Sequence, residues 1–116
     1  MMPCRCYRQN MRGRLLQDLV DQTGVQWVAL VGPDALPIDF SPKDVEVNDA
    51  VAMWVALDHM AKDTPMRMLI KTEDVVMISN RVDEDRLLLM MATHDSNLGL
   101  LRNALGDAAS RIIDLG

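Results

Sequence analysis

The sequence predicts an α/β fold of the α+β kind: one five-stranded antiparallel sheet with helices on both faces, in the order α-β-β-α-β-β-β-α. Three observations carry this prediction. Residues 67–93 hold three apolar runs separated only by Glu73-Asp74 and Asp83-Glu84-Asp85. Such links are too short for a parallel crossover, so the runs should form an antiparallel meander. The last run, "LLLMMA" (Leu87 to Ala92), lacks polar alternation, which suits a strand covered on both faces. Finally, residues from about Asn97 to Asp114 place apolar side chains at helical spacing.

The elements follow in order. "RLLQDLVDQTG" has Leu15/Leu19 and Leu16/Val20 four apart with polar residues between, a one-faced helix stopped by Gly24. "VQWVALVG" alternates and then turns apolar, as a strand does. "GPDALP" is a turn, and "IDFS" is a short second strand that closes a hairpin. The polar "SPKDVEVNDA" leads into a second helix, for which Asn48 or Asp44 could be the cap. That helix is apolar over most of its circumference from Val47 to Ala61, whereas a helix on one sheet needs a stripe only somewhat wider than 100°. A surplus apolar face of this kind points to a partner. The three strands 67–72, 75–82 and 86–93 come next. In the last helix Leu98, Leu101, Leu105, Ala108 and Ile112 line one face, widened by Ala104, Ala109 and Ile113. Asn97 or Ser96 can cap it.

The 116 residues suit one domain. A basic tail over 1–13 precedes a domain at 14–116. The tail region holds Arg5, Arg8, Arg12 and Arg14 and no acid up to residue 14. The remaining residues carry eight bases against seventeen acids, a balance of -9. An acidic domain is a poor nucleic-acid binder, because phosphate contacts dominate that affinity. No apolar stretch approaches the ~20 residues of a membrane span, and the N-terminus lacks the apolar core of a signal peptide, so a cytoplasmic location is expected. Cys4 and Cys6 cannot complete a tetrahedral zinc site by themselves.

No catalytic constellation stands out. His59 and His94 have no nucleophile or carboxylate at a spacing that would make a catalytic pair. Asp83, Glu84 and Asp85 fit a hairpin turn better than a calcium loop. "GPDALP" has neither the spacing nor the lysine of a phosphate loop. Arg67, Arg81, Arg86 and Arg102 are expected as solvated or salt-bridged residues rather than as fingers in phosphoryl transfer. No cofactor or metal is expected, and the chain is not expected to be an enzyme.

Four stretches together resemble the roadblock/dynein light-chain domains of prokaryotic small-GTPase regulators. They are "GVQWVALVG", "PDALPI", the meander that begins "MRMLIKTEDVVMI", and "NLGLLR" ahead of an alanine-bearing helix. They span about residues 14–115. Ala35 stands where glycine is usual in that family's turn. The resemblance implies a profilin-like roadblock fold, and a dimer in which second helices pack together and third strands pair into one continuous sheet. It also implies a small Ras-like GTPase as partner, with the chain as an adaptor, scaffold or at most a GTPase-activating regulator. The alternatives are a structural dimerisation module without GTPase contact and a small-ligand sensor.

The interface candidates are Val47, Ala50, Val51, Met53, Trp54, Leu57, Met60, Met68 and Ile70. Trp54 is the expected anchor, since buried Trp often dominates binding energy; packing on its own sheet is the other possibility. The motif Asn97, Leu98, Gly99 and Leu101 is expected to pack rather than bind. Gly99 would be there because a side chain would strike the crowded sheet, so Gly99→Leu should destabilise the fold.

Overall fold

Alternate residues of a strand point to opposite faces of its sheet, and residues 25–31 show this directly. In the computed structural model, which describes residues 4–34, 36–60 and 67–115, Val28 and Leu30 enter one apolar cluster, while Trp27, Ala29 and Val31 enter another. The two clusters lie on opposite faces of one five-stranded sheet. Its strands are β1 (Val25–Val31), β2 (Pro37–Ser41), β3 (Arg67–Lys71), β4 (Val75–Arg81) and β5 (Leu87–Thr93), and the spatial order is β2-β1-β5-β4-β3. Every neighbouring pair is antiparallel.

Three helices complete the chain: α1 (Cys4–Val20), α2 (Asn48–Met60) and α3 (Leu98–Leu115). Leu16 and Leu19 of α1 and Leu101, Leu105, Ala108, Ala109 and Ile112 of α3 seal the first cluster. Val47 and the α2 residues Val51, Trp54 and Val55 seal the second. The expected element order and the two-sided sheet are therefore present. The strand β5 lies at the centre of the sandwich. Leu88, Met90 and Ala92 face α1 and α3, and Leu87 and Leu89 face α2. A strand buried on both faces has no use for polar alternation, which is why "LLLMMA" has none.

Several local expectations are corrected. The first helix begins at Cys4, so most of the stretch expected as a tail continues α1. Arg12 is tied down by an ion pair with Asp39 of β2 at 3.5 Å. The α2 N-terminus is capped by neither Asn48 nor Asp44. The Glu46 carboxylate accepts from the Asn48 N–H at 2.7 Å, and Val47 C=O accepts the first helical bond, from Val51 N–H. Ile113 does not widen the buried face of α3; it is half exposed.

The N-terminus of α3 behaves as expected: Asn97 Oδ1 accepts from the Leu100 N–H at 3.2 Å, an N-cap three residues from its donor. Gly99 does not behave as expected. A Cβ there would meet only Asn97 Oδ1, at an ordinary 3.5 Å. The glycine that α3 packing does use is Gly106, whose missing Cβ would sit 3.1 Å from the Asn80 amide nitrogen on β4. Gly24 has φ +91°, which favours glycine. A Cβ on Gly24 would also collide with Ser96 Oγ at 2.1 Å.

Candidate interaction surface

An open sheet has two edges, and edges invite pairing with another chain unless they are blunted. Here the two differ. Along β2, Pro37 has no N–H to offer, and the Phe40 N–H is taken by the neighbouring Asp39 carboxylate at 2.9 Å. Lys43 pairs with that same Asp39 and lies 4.7 Å over the Phe40 ring. The segment α1 braces this edge through Arg12–Asp39 and through Ser41 Oγ, which donates to Gln17 Oε1 at 2.8 Å. The opposite edge, β3, has no proline and no such cover among the described residues. Its alternate residues Met68 and Ile70 face the α2 side, because their partners Ser79 and Met77 share that face.

The helix that covers this face of the sheet, α2, has an unusual outer face. Val51, Trp54 and Val55 turn inward, leaving Asn48, Asp49, Ala52, Met53 and Ala56 outward. A solvent-facing helix surface normally carries charged or polar residues. From Ala52 to Ala56 this one has none. Met53 is 52% exposed, and Ile70 on the edge strand β3 is 36% exposed.

The nine interface candidates separate on this basis. Val47, Val51 and Trp54 are covered by their own sheet and have no surface to give a second chain. Trp54 is thus a core residue rather than an exposed anchor, and its indole N–H is buried without a hydrogen-bond partner. Ala50, Leu57 and Met68 are half buried, while Met53 and Ile70 are exposed. The Met60 side chain lies outside the described residues, as do Ala35, His59 and the Cys4 and Cys6 thiols. Ala52 and Ala56 were not among the candidates. Helical spacing from Met53 links them to one stripe, but an apolar helix has no polar face from which to set that phase. In the packing motif, Leu101 is buried, Leu98 half buried, and Asn97 and Gly99 exposed.

The acidic triplet is a turn. Asp83 accepts from the Asp85 and Arg86 N–H groups and is paired with the Arg86 guanidinium at 2.7 Å. The Arg86 hydrogen bond holds the Asp83 carboxyl below its ordinary pKa. Asp95 is likewise lowered, chiefly by a hydrogen bond from Thr93. Among the described residues no group of three or more His, Cys, Asp or Glu could hold a metal ion. Nor is any described helix long and apolar enough to cross a membrane.

No family model and no curated protein matches this sequence. Solved structures do match it. A Roadblock/LC7 domain from Streptomyces avermitilis superposes with TM-score 0.78 at 11% identity, covering 86% of this chain and 92% of that one. This is the roadblock fold. Myxococcus xanthus MglB gives TM-score 0.78 at 13% identity, with 90% and 94% of the two chains covered. The breadth of the roadblock architecture shows in a chain of the LokiProfilin1/rabbit actin complex, at TM-score 0.68 and 9% identity over 92% of this chain and 97% of that one. At such identities the likeness lies in the fold, with the profilin-like arrangement included.

Proposed function

We propose that this roadblock-fold chain is a dimeric, non-enzymatic adaptor that binds a small Ras-like GTPase and modulates its nucleotide cycle or its localisation. One observation carries the dimer: the open edge β3 turns Met68 and Ile70 to the sheet face that α2 covers, and α2 has an apolar outer surface. Pairing β3 with its copy would satisfy an unpaired strand edge and bring Met53, Met68 and Ile70 toward the same residues of the second chain. The blunted β2 edge directs that pairing to β3 alone, so assembly stops at two copies rather than growing into a fibre. The GTPase partner is carried over from the roadblock likeness and from the resemblance of the four sequence stretches.

Light scattering at micromolar concentration tests the dimer, with twice the mass of the chain expected; a stable monomer would overturn it. Candidate small GTPases loaded in turn with GDP and with a GTP analogue test the partner. Co-elution that depends on the nucleotide state is expected, and no association in either state refutes the GTPase part of the reading.

A further inference from the structure

The sheet face opposite α2 has a different chemistry at the same edge. Arg67, Leu69 and Lys71 alternate with Met68 and Ile70 along β3, and their partners Asn80, Ile78 and Val76 fix them on the α3 side. The Arg67 guanidinium reaches over α3, to 3.6 Å from where a Gly106 Cβ would be. Arg102 lies one turn earlier on the same flank of α3, displaced toward Lys71, because α3 starts at the end of the sheet where β5 finishes. Ile113, seven residues after Gly106, continues that flank and is 50% exposed.

Several other described cations are neutralised. Arg12, Lys43, Arg86 and Arg111 each have a carboxylate partner. The exposed side chains of Arg67, Lys71 and Arg102 have no acid or hydrogen-bond acceptor among the described residues. In a chain of net charge -5, three unneutralised cations around one strand edge form a distinct patch.

We propose that the α3 side of the β3 seam is a docking groove for an acidic, amphipathic protein segment, completed only when two copies pair. This rests on the dimer reading above. Pairing β3 with its copy would place Arg67 and Lys71 of both chains along one seam, between two α3 flanks, with six cations counting both Arg102 residues. Leu69 on the floor and Ile113 on each flank offer apolar contacts beside the charges. Like charges facing one another across paired strands oppose the pairing, so an acidic occupant strengthens the dimer as it binds. A long polyanion fits less well, because Glu73 and Asp74 stand at the turn just after Lys71 and the surrounding body is acidic.

The test uses the full chain and a fluorescein-labelled helical peptide of Glu and Leu, followed by anisotropy, with light scattering on the same solutions. Expected are a dimer, binding that weakens as salt rises, and at least a tenfold loss of affinity in Arg67→Ser/Lys71→Ser/Arg102→Ser. Arg14→Ser should bind unchanged, and the peptide should tighten dimerisation. A dimer that ignores the peptide overturns this proposal and leaves the dimer reading intact; a monomer overturns both. Binding that survives the triple substitution, or that prefers oligodeoxythymidylate or phosphatidylserine vesicles over the peptide, also overturns it.

Discussion

Two glycines show how differently one residue type can be used. Gly24 combines φ +91° with a Cβ position 2.1 Å from Ser96 Oγ, so conformation and space both demand glycine. Gly24→Ala should cost at least about 1–2 kcal/mol from the left-handed backbone alone. Gly99 has neither constraint, so Gly99→Ala should leave stability unchanged or raise it by up to ~1 kcal/mol through helix propensity. Urea melts should lower the midpoint of Gly24→Ala but not that of Gly99→Ala, and a lower midpoint for Gly99→Ala would restore the crowding explanation. Trp54 tests burial in the same way. It is fully buried in the cluster beneath α2, so Trp54→Ala should cost about 3–5 kcal/mol. Trp54→Phe should cost much less, since it keeps an aromatic ring and removes an unpaired donor whose desolvation costs ~1–3 kcal/mol. Equal losses for the two would mean that the indole N–H has a partner.

At the scale of elements, the asymmetry of the two edges makes a sharp prediction. Met53→Glu or Ile70→Glu should raise the dimer dissociation constant at least tenfold while leaving far-UV circular dichroism unchanged. Ile38→Glu, equally drastic but on the blunted edge β2, should leave dimerisation as it was. Sedimentation across a dilution series separates them, and a dimer weakened by Ile38→Glu would shift the interface to the other edge. What the sequence made legible follows the same physics. The run Leu87–Ala92 announced a strand covered on both faces, and the one-faced pattern of 98–112 announced α3. The helix 48–60 announced its surplus of apolar surface but not its phase, because Ala, Val, Met and Trp occur all round it. Only the sheet beneath it decides that Trp54 turns in and Met53 turns out. The stretch Cys4–Gly13 carries no apolar periodicity, so nothing local distinguished a helix there from a tail. Gly106 went unremarked because a glycine in the middle of a helix shows its use only when the strand opposite it, through Asn80, is in place.

At the scale of the whole molecule, the decisive fact is that each face of the sheet has its own closed core. Leu16, Leu105 and Ile112 fill one side and Trp54, Val51 and Leu89 the other, all fully buried within a single chain. A dimer built on such a protomer adds an interface to a finished fold; it does not complete an unfinished one. The proposed interface surface, Ala52, Met53, Ala56 and Ile70, consists of side chains that a lone protomer can leave in water at modest cost, since single exposed apolar residues are normal on protein surfaces. Dilution should therefore yield a folded monomer before any unfolding. Circular dichroism should stay constant through the concentration range in which scattered mass halves. Above that range the melting temperature should rise with concentration, because association stabilises the native state by mass action; below it, the melting temperature should level off. An obligate dimer behaves otherwise, with loss of mass and loss of helical signal falling at the same concentration, and that coincidence would contradict the two-core account.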